Sequence, residues 1–432
     1  MRLLLTAFLL VSVIAPVASR QQTESTKDGK MIEEIQERSR VAREKGNPLM
    51  ELESLRARWT GKDLKSSDDQ SGPKPQQMLA LMLLNVSAEI GNYGEAIRYA
   101  DTIYGESKAG KPPDISRLEG YKPVDALAAI LSRAGASQII LINEAHHVPQ
   151  HRTFTYELLK ALRRKGFTHF AAETLSEQDT RMSERGYPTR ATGYYTSEPV
   201  YGDLVRSAFR LGYRVVPYEW FGEYTPDNRE RGQAKNLVER ILKDNPKAKI
   251  LVHAGYSHID ETGELVGAKT MAQRLKEMTG IDPFTIDQTR MSEHSAPEYE
   301  QPLYRYVTEK KLVSKPSVFE NAGSELWALE KTRHDVTLFH PRSEFKDGRP
   351  TWLRMGGDRK PYKLPAAICG PAGRCLVRAR VASESDDAVP VDQVEVTPGR
   401  NVPVLMLPVG EFTLEVKDAE DKTIKTSRIR LR

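Results

Sequence analysis

The sequence QIILINEAHHVPQH, residues 138–151, decides the fold. It starts with a short apolar run, passes through a polar turn with one glutamate and two histidines, and reaches a proline typical of a first helical turn. Similar apolar runs follow at 169–172, 214–218 and 249–252, separated by segments with apolar residues at helical spacing. This alternation is typical of a parallel sheet. The sequence therefore predicts an α/β fold with a mostly parallel central sheet flanked by helices.

The remaining elements of this central domain follow from the same periodicity. A fifth strand is predicted at 284–287. The connecting helices are predicted at 149–165, 201–211, 229–243 and 268–278. Because the carboxyl ends of parallel strands form the crevice where ligands bind, polar residues that follow these strands are the candidate site residues.

The regions on either side of the central domain have different patterns. The amino-terminal part is predicted to be helical, with helices at 31–45, 49–59, 76–90 and 93–104 and a loop at 62–74. Beyond residue 376, five short runs bounded by Gly, Pro, Asp or Asn predict a small all-β, sandwich-like domain. The predicted domains are a helical region at 20–135, an α/β domain at 136–292, an irregular extension at 293–365 that completes it, and a β-sandwich-like domain at 366–432.

Length and composition limit the class of protein. A chain of 432 residues with 39% hydrophobic and 28% charged residues is long enough for two or three packed domains. It is too polar for a bundle of membrane helices and too apolar for a disordered protein. The net charge of +5 comes from interleaved acidic and basic residues. This pattern gives no reason to expect nucleic acid as a partner.

Two features predict export of the protein. Residues 1–19 combine an early arginine, an apolar run and a small-residue end, which is typical of a cleaved signal peptide. The run is shorter than the roughly 20 residues that a membrane span needs, so no integral membrane segment is expected after cleavage. Cys369 and Cys375 flank a short Gly/Pro loop, and in an oxidising compartment this spacing predicts a disulfide. A periplasmic or secreted location is expected.

Histidines and acidic residues concentrate at the predicted strand ends. Glu144 and His146 follow the first strand, Glu173 follows the second, and His258 lies in the turn after the fourth. A carboxylate two residues before an imidazole can orient it for proton transfer or share a metal ion with it. His253 is expected to pack inside its strand, whereas His258, in a loop, is expected to be freer to act. Gly255 is expected to allow the sharp turn that presents His258.

Further candidates rank below these residues. His147 and His151 are four residues apart, but Pro149 lies between them and no glutamate follows His147, so the pair does not match the zinc-protease helix motif. Tyr218 ends the third strand, and Glu230 lies at the start of the next helix. The remaining histidines are interpreted as structural: His169, His294, His334 and His340.

The ordered set of motifs in residues 136–292 resembles the erythromycin esterase, ChaN-like and Tiki/TraB superfamily. The resemblance rests on Ile142 to His146, Glu173, Arg229 to Asn236, and Gly255 to His258. Asn143 stands where the family usually has a glycine. The helix segment is similar to the family's Arg-acidic-x-x-Met-Ala-x-Asn pattern, with glutamine at 233 in place of methionine.

The resemblance implies an exported hydrolase that cleaves an ester or amide bond in a small-molecule or peptide substrate. His146, oriented by Glu144, is expected to take the proton, Glu173 and His258 to handle the second proton or charge, and Arg229 to stabilise an oxyanion or hold a substrate carboxylate. A divalent metal bound by His146, His258 and Glu173 would serve the same purpose by polarising water.

Two alternatives remain open at this point: the superfamily also contains a haem-binding protein, and Asn143 replaces the usual glycine. The first is a protein that uses the same histidines to bind haem or another small ligand without catalysis. The second is a structural envelope protein whose central domain has lost activity.

Overall fold

The computed structural model describes residues 27–62 and 75–432. The predicted signal peptide at 1–19 lies outside these residues, as does the predicted loop from residue 63 onward. Within the described ranges, no helix is long and apolar enough to cross a membrane.

The centre of the molecule is an eight-stranded sheet. In chain order its strands are β1 (Tyr121–Asp125), β2 (Ile139–Glu144), β3 (His169–Ala172), β4 (Arg214–Pro217), β5 (Ile250–Gly255), β6 (Phe284–Met291), β7 (Ser317–Asn321) and β8 (Val336–Phe339). Their spatial order is β1-β7-β8-β6-β2-β5-β3-β4. The six strands from β8 to β4 are parallel, while β7 is antiparallel to β8 and to β1. The predicted α/β class with a mostly parallel sheet is confirmed.

Helices surround this sheet and extend toward the amino terminus. In chain order they are α1 (Lys27–Lys45), α2 (Pro48–Arg56), α3 (Pro75–Glu89), α4 (Tyr93–Tyr104), α5 (Ala126–Ala134), α6 (Gln150–Arg163), α7 (Met182–Arg185), α8 (Pro199–Arg210), α9 (Pro226–Leu237), α10 (Met271–Thr279) and α11 (Pro302–Glu309).

The alternation along β2 explains why the sheet is covered on both faces. Ile140 and Ile142 belong to one apolar core, which includes residues of α6 and α8. Ile139 and Leu141 point the opposite way into a second core with α9 and α10. All six residues of β2 are buried. A strand with two buried faces reads as a continuous apolar run, as residues 139–142 do.

The carboxyl-terminal region is rich in β-structure. Its strands are β9 (Lys360–Tyr362), β10 (Cys375–Val381), β11 (Asp392–Val396), β12 (Leu405–Leu407), β13 (Gly410–Lys417) and β14 (Thr423–Leu431). Four of them form an antiparallel sheet in the order β11-β10-β13-β14, and β9 pairs with β12. Both sheets contribute to one apolar core. The predicted disulfide between Cys369 and Cys375 is present.

Three strands of the central sheet come from segments where no strand is predicted. β1 lies in the region expected to be helical, and β7 and β8 lie in the segment expected to be irregular. β1 contains Pro123 and is only half-buried or exposed, which suits an edge strand but weakens any periodic signal.

The amino-terminal helices pack against the carboxyl-terminal β-region. Leu376 of β10 is part of the apolar core formed by Leu52 of α2 and Leu83 of α3. Arg56 Nη1 also lies 3.0 Å from Glu395 Oε1 of β11.

Candidate active site

Glu144, the last residue of β2, is the centre of a buried polar cluster. Its Oε2 accepts hydrogen bonds from Arg152 Nε at 2.6 Å, and Arg152 Nη2 lies 2.8 Å from Oε1. The same carboxylate contacts His146 Nδ1 and His253 Nε2, each at 2.8 Å. We call Glu144, His146, Arg152 and His253 the His146 cluster.

The contacts of His146 fix its tautomer and its orientation. A carboxylate can only accept, so Nδ1 carries the proton and Nε2 presents a lone pair in the neutral ring. The ring stacks on Tyr195, with centroids 3.8 Å apart, and meets Tyr256 edge-on at 5.2 Å. The side chain retains 13% of its exposure. This is the geometry of an oriented general base.

The carboxylate of Glu173, which follows β3, and the imidazole of His146 both lie next to Gly255. Glu173 Oε2 accepts a hydrogen bond from the backbone N–H of Gly255. A Cβ added to Gly255 would lie 2.5 Å from His146 Nε2 and 3.0 Å from Glu173 Oε2. The backbone of Gly255 is extended, with φ −82°, and the left-handed residue is Tyr256, with φ +43°. Glycine is therefore required here for close approach and not for the expected sharp turn.

Arg229, on α9, links three acidic or imidazole groups from different elements. Its Nη2 donates to Glu173 Oε1 at 2.7 Å and to Glu219 Oε2 at 2.9 Å. Its Nη1 lies 2.7 Å from His258 Nε2. His258 Nδ1 contacts Glu230 Oε1 at 2.7 Å. We call Glu173, Glu219, Arg229, Glu230 and His258 the His258 cluster.

His258 is 1% exposed and both its ring nitrogens are engaged. The expectation that His258 is freer to act than His253 is wrong, because its short helical turn folds the ring inward between Arg229 and Glu230. Burial lowers the pKa of His258, but the carboxylates of Glu230 and Glu173 outweigh burial and raise it.

Both strand-end glutamates are held in the ionised form. Burial raises the pKa of Glu144, but Arg152 and His253 outweigh this effect and keep the pKa well below its usual range. Burial also raises the pKa of Glu173, whereas His258 and Arg229 lower it to about 2. Neither carboxyl carries a proton near neutral pH.

Most of the lower-ranked candidates contact residues next to the site. His147 Nδ1 lies 3.3 Å from the Tyr256 hydroxyl, and burial lowers the pKa of His147 to about 3. His151 Nδ1 accepts a hydrogen bond from the Ala145 N–H at 3.0 Å, and its pKa is lowered by burial. Tyr218 donates to the backbone carbonyl of His253 at 3.0 Å. Of the lower-ranked set, Glu230 alone belongs to one of the two clusters.

Several residues of the clusters are not found from the sequence. Arg152 lies on α6, where an arginine ordinarily indicates a solvated face, yet it is fully buried between Glu144 and Glu198. Glu219 directly follows Tyr218 after the third predicted strand, and this position is the one signal for it. His253 is expected to pack within its strand and instead reaches Glu144.

Asn143 connects the first strand to its neighbours. Its Oδ1 accepts a hydrogen bond from the Gln288 N–H at 2.8 Å, and its Nδ2 donates to the Tyr256 carbonyl at 3.0 Å. Asn143 thus ties β2 to β6 and to the turn after β5.

Two cavities lie beside these clusters. A small cleft of about 10 Å³ is lined by His146 and Tyr195 together with residues of the amino-terminal helices. A larger cavity of about 350 Å³ is lined by Tyr256, Asn143 and Ser257 and by ion-paired side chains from the end of the sheet, namely Asp260, Arg290, Glu330 and Arg333.

The expected metal site does not fit this geometry. Among the described residues, no group of three or more His, Cys, Asp and Glu side chains is arranged to hold a metal ion. The guanidinium of Arg229 lies between Glu173 and His258, where the metal would have to bind. Both nitrogens of His258 are engaged, so this residue is not available as a ligand to haem either. We therefore derive no step through a metal or haem.

Fold and site together define an α/β protein with two buried Glu–His–Arg clusters at the carboxyl edge of a parallel sheet. No protein-family model matches the chain, and no curated protein matches it.

Several solved structures resemble the chain weakly. Two are described as bacterial protein toxins, each 13% identical with a TM-score of 0.32; they cover 66% and 63% of this chain, and 73% and 69% of their own. A third, RRSP, a MARTX toxin effector domain from Vibrio vulnificus, is 13% identical with a TM-score of 0.28, over 61% of this chain and 63% of its own. At these TM-scores the likeness carries no argument.

Proposed function

We propose that this protein is an exported hydrolase similar to the erythromycin esterase, ChaN-like and Tiki/TraB superfamily, and that it cleaves an ester or amide bond by acid–base chemistry at His146. The observation that carries the proposal is the geometry of this residue. His146 has Nδ1 on a buried carboxylate, its ring held between two tyrosines, and a lone pair on Nε2. Export is supported by the disulfide, which is compatible with an oxidising compartment.

In the proposed reaction, His146 Nε2 takes a proton from the water that attacks the substrate carbonyl. The imidazolium that forms is stabilised by the Glu144 carboxylate at Nδ1. Arg152 keeps Glu144 ionised and oriented through two hydrogen bonds. Arg152 Nη2 also donates to the backbone carbonyl of His146 at 2.7 Å, so the base and its partner are held as one unit.

Glu173 supplies a second fixed negative charge near Nε2, which further favours the imidazolium. Its position is set by the Gly255 N–H and by Arg229. Arg229 is buried and its guanidinium is bound to Glu219, Glu173 and His258, so we assign it to positioning Glu173 instead of to an oxyanion. His258 and Glu230 complete this support.

The test is the turnover of a panel of substrates by the wild-type protein and by His146→Ala. The panel comprises p-nitrophenyl esters of increasing acyl length and aminoacyl and peptide anilides. We expect at least one substrate to be hydrolysed, and the variant to be about 1,000-fold slower, within the range for loss of a general base. His294→Ala is the control, because this histidine is partly exposed and pairs with Asp101. Wild-type rates in a folded His146→Ala protein would contradict the proposal.

A further inference from the structure

The larger of the two cavities is not used by the proposed hydrolysis. It has a volume of about 350 Å³ and lies at the carboxyl ends of three neighbouring strands, with Asn143 of β2, Ser257 after β5 and Arg290 of β6 in its wall. None of the residues of the His146 cluster or the His258 cluster lines it. A cavity of this size can hold a small molecule.

The topology of the sheet places this cavity where α/β proteins commonly bind ligands. The strands β2 and β5 are adjacent and parallel. The chain leaves β2 for α6, which packs on one face of the sheet, and leaves β5 for α10, which packs on the other face. Because the two connections diverge, a crevice opens between them at the carboxyl ends of the strands. We call the cavity of about 350 Å³ at this position the switch-point cavity.

Two residues in the wall of the switch-point cavity have a strained backbone. Tyr256 and Val266 lie in the left-handed region, with φ +43° and +55°. Val266 and Gly267 form the tip of a hairpin in which Glu264–Leu265 pairs with Ala268–Lys269. A β-branched residue is rare in this conformation, for which Asn and Gly are usual. Such strain clusters at ligand clamps and active sites, so the hairpin indicates a binding role for the cavity.

The buried acidic oxygens of the cavity wall already have partners. Glu330 Oε1 lies 2.7 Å from Arg290 Nη1, and Glu330 Oε2 lies 2.6 Å from Arg333 Nε. Asp260 is 2% exposed, and its two oxygens lie 2.7 Å from Arg333 Nη1 and 2.9 Å from His334 Nε2. Neither carboxylate is therefore available to bind a cationic ligand.

The groups that remain for a ligand are hydrogen-bond donors. Within residues 27–62 and 75–432, Arg290 Nε and Nη2, Arg333 Nη2 and the Ser257 hydroxyl make no hydrogen bond. The third acid of the wall, Glu264, is exposed at the hairpin, where water and salt screen its charge. Leu265 provides a buried apolar surface in the same cavity.

The two nitrogens of Arg290 that remain form one edge of its guanidinium. This edge can bind both oxygens of a carboxylate through two parallel hydrogen bonds. Arg206 uses the same edge in this protein: its Nε lies 2.8 Å from Glu384 Oε1, and its Nη2 lies 2.6 Å from Glu384 Oε2. Arg290 thus presents a complete carboxylate-binding edge that no residue in the described ranges occupies.

We propose that the switch-point cavity binds a small organic carboxylate. The Nε and Nη2 edge of Arg290 holds both carboxylate oxygens, and the apolar part of the ligand packs against Leu265 and Val266. Arg333 Nη2 and the Ser257 hydroxyl supply further hydrogen bonds. Binding involves no covalent step and does not require His146, so the site is independent of the proposed hydrolysis.

The test is calorimetric titration with hippurate, which joins a benzoyl group to a glycine carboxylate, and with hippuramide, its neutral amide. We expect hippurate to bind the wild-type protein, and hippuramide to bind about 30-fold more weakly because the charge-assisted hydrogen bonds are lost. Arg290→Met should weaken hippurate binding by the same factor and leave hippuramide binding unchanged. Arg181→Met is the control, because Arg181 is exposed and pairs with Glu184 outside the cavity.

Two further variants keep the test independent of folding. Arg290→Lys retains the positive charge but lacks the bidentate edge, so its affinity for hippurate should lie between those of the wild-type protein and Arg290→Met. Val266→Gly removes an apolar contact and suits the left-handed conformation. It should weaken hippurate binding about fivefold without lowering the melting temperature.

The outcomes separate this site from the hydrolytic one. No binding of hippurate at millimolar concentration, equal affinities for hippurate and hippuramide, or wild-type affinity in Arg290→Met or Val266→Gly would overturn the proposal. Loss of hippurate binding in His146→Ala would place the ligand at the hydrolytic site and would also overturn it. Turnover by His146→Ala is measured separately, so the proposed function can fail while this site stands, and the reverse.

Discussion

The His146 cluster and the His258 cluster are built from the same residue types, yet their histidines differ in exposure. Each holds a strand-end glutamate ionised by a buried arginine, and each binds histidine Nδ1 to a carboxylate. The His146 side chain is 13% exposed, and its Nε2 lies next to Gly255. His258 keeps 1%, and its Nε2 is bound to Arg229. Composition alone thus does not separate a reactive histidine from a supporting one.

The difference between the clusters comes from where the arginine binds. The guanidinium of Arg152 binds the carboxylates of Glu144 and Glu198 and the backbone carbonyl of His146. Arg229 inserts its guanidinium between Glu173 and His258. The first arrangement favours proton transfer, and the second favours rigidity.

The largest expected effect comes from removing the arginine of the supporting cluster. Arg229→Met leaves the buried Glu173 and Glu219 without their shared cation, and breaking such a pair costs about 3–5 kcal/mol in the free energy of unfolding. Arg231→Met on the same helix is the control, because Arg231 is exposed and pairs with Asp227. The control should change stability by no more than about 1 kcal/mol. Equal urea midpoints for the two variants would show that the His258 cluster is not a scaffold.

The contact between the clusters is tested at Gly255. In Gly255→Ala the added Cβ would displace the His146 ring and the Glu173 carboxylate, and misplacement of a base by about 1 Å costs about 100-fold in turnover. Gly94→Ala is the control, since its added Cβ would meet nothing within 4 Å. Both variants should be compared by kcat and by melting temperature. Wild-type kcat in Gly255→Ala would mean that the close approach of His146 and Glu173 at Gly255 has no catalytic role.

The smallest effect is expected far from both clusters. Replacing Cys369 and Cys375 by serine opens a short loop and should lower the free energy of unfolding by about 2 kcal/mol, with unchanged kcat. The double variant should match the wild-type protein under reducing conditions. A fall in kcat would mean that global stability alone affects turnover, and stability would then have to be separated from chemistry in the other variants.

The part of the fold that the sequence predicts is the part with strong periodicity. The strand at 169–172 is found as expected, and β2 and β5 extend beyond their predicted ends because Asn143, Glu144 and Gly255 continue the ladder. The strands β1, β7 and β8 are not predicted from the sequence. Two of them, β1 and β7, form an antiparallel pair near the edge of the sheet, so they lie outside the alternation of strands and helices that marks the parallel strands.

The site was predictable where it follows strand ends, and less so where it depends on tertiary burial. Glu144, His146, Glu173 and Arg229 converge as their positions suggest. The burial of His258 and the reach of Arg152 into the core depend on how α6, α9 and the turn after β5 pack. No local pattern in the chain encodes that packing.

The hydrogen bond from the Gln393 side chain to the backbone carbonyl of Glu89, 2.9 Å long, joins the tail of the chain to the rim of the His146 cleft. Glu395 N–H also reaches the Ile90 carbonyl at 3.3 Å. The α/β core therefore depends on the carboxyl-terminal region, because removal of the strands from β11 onward would also remove these contacts to the end of α3, the helix that lines the cleft.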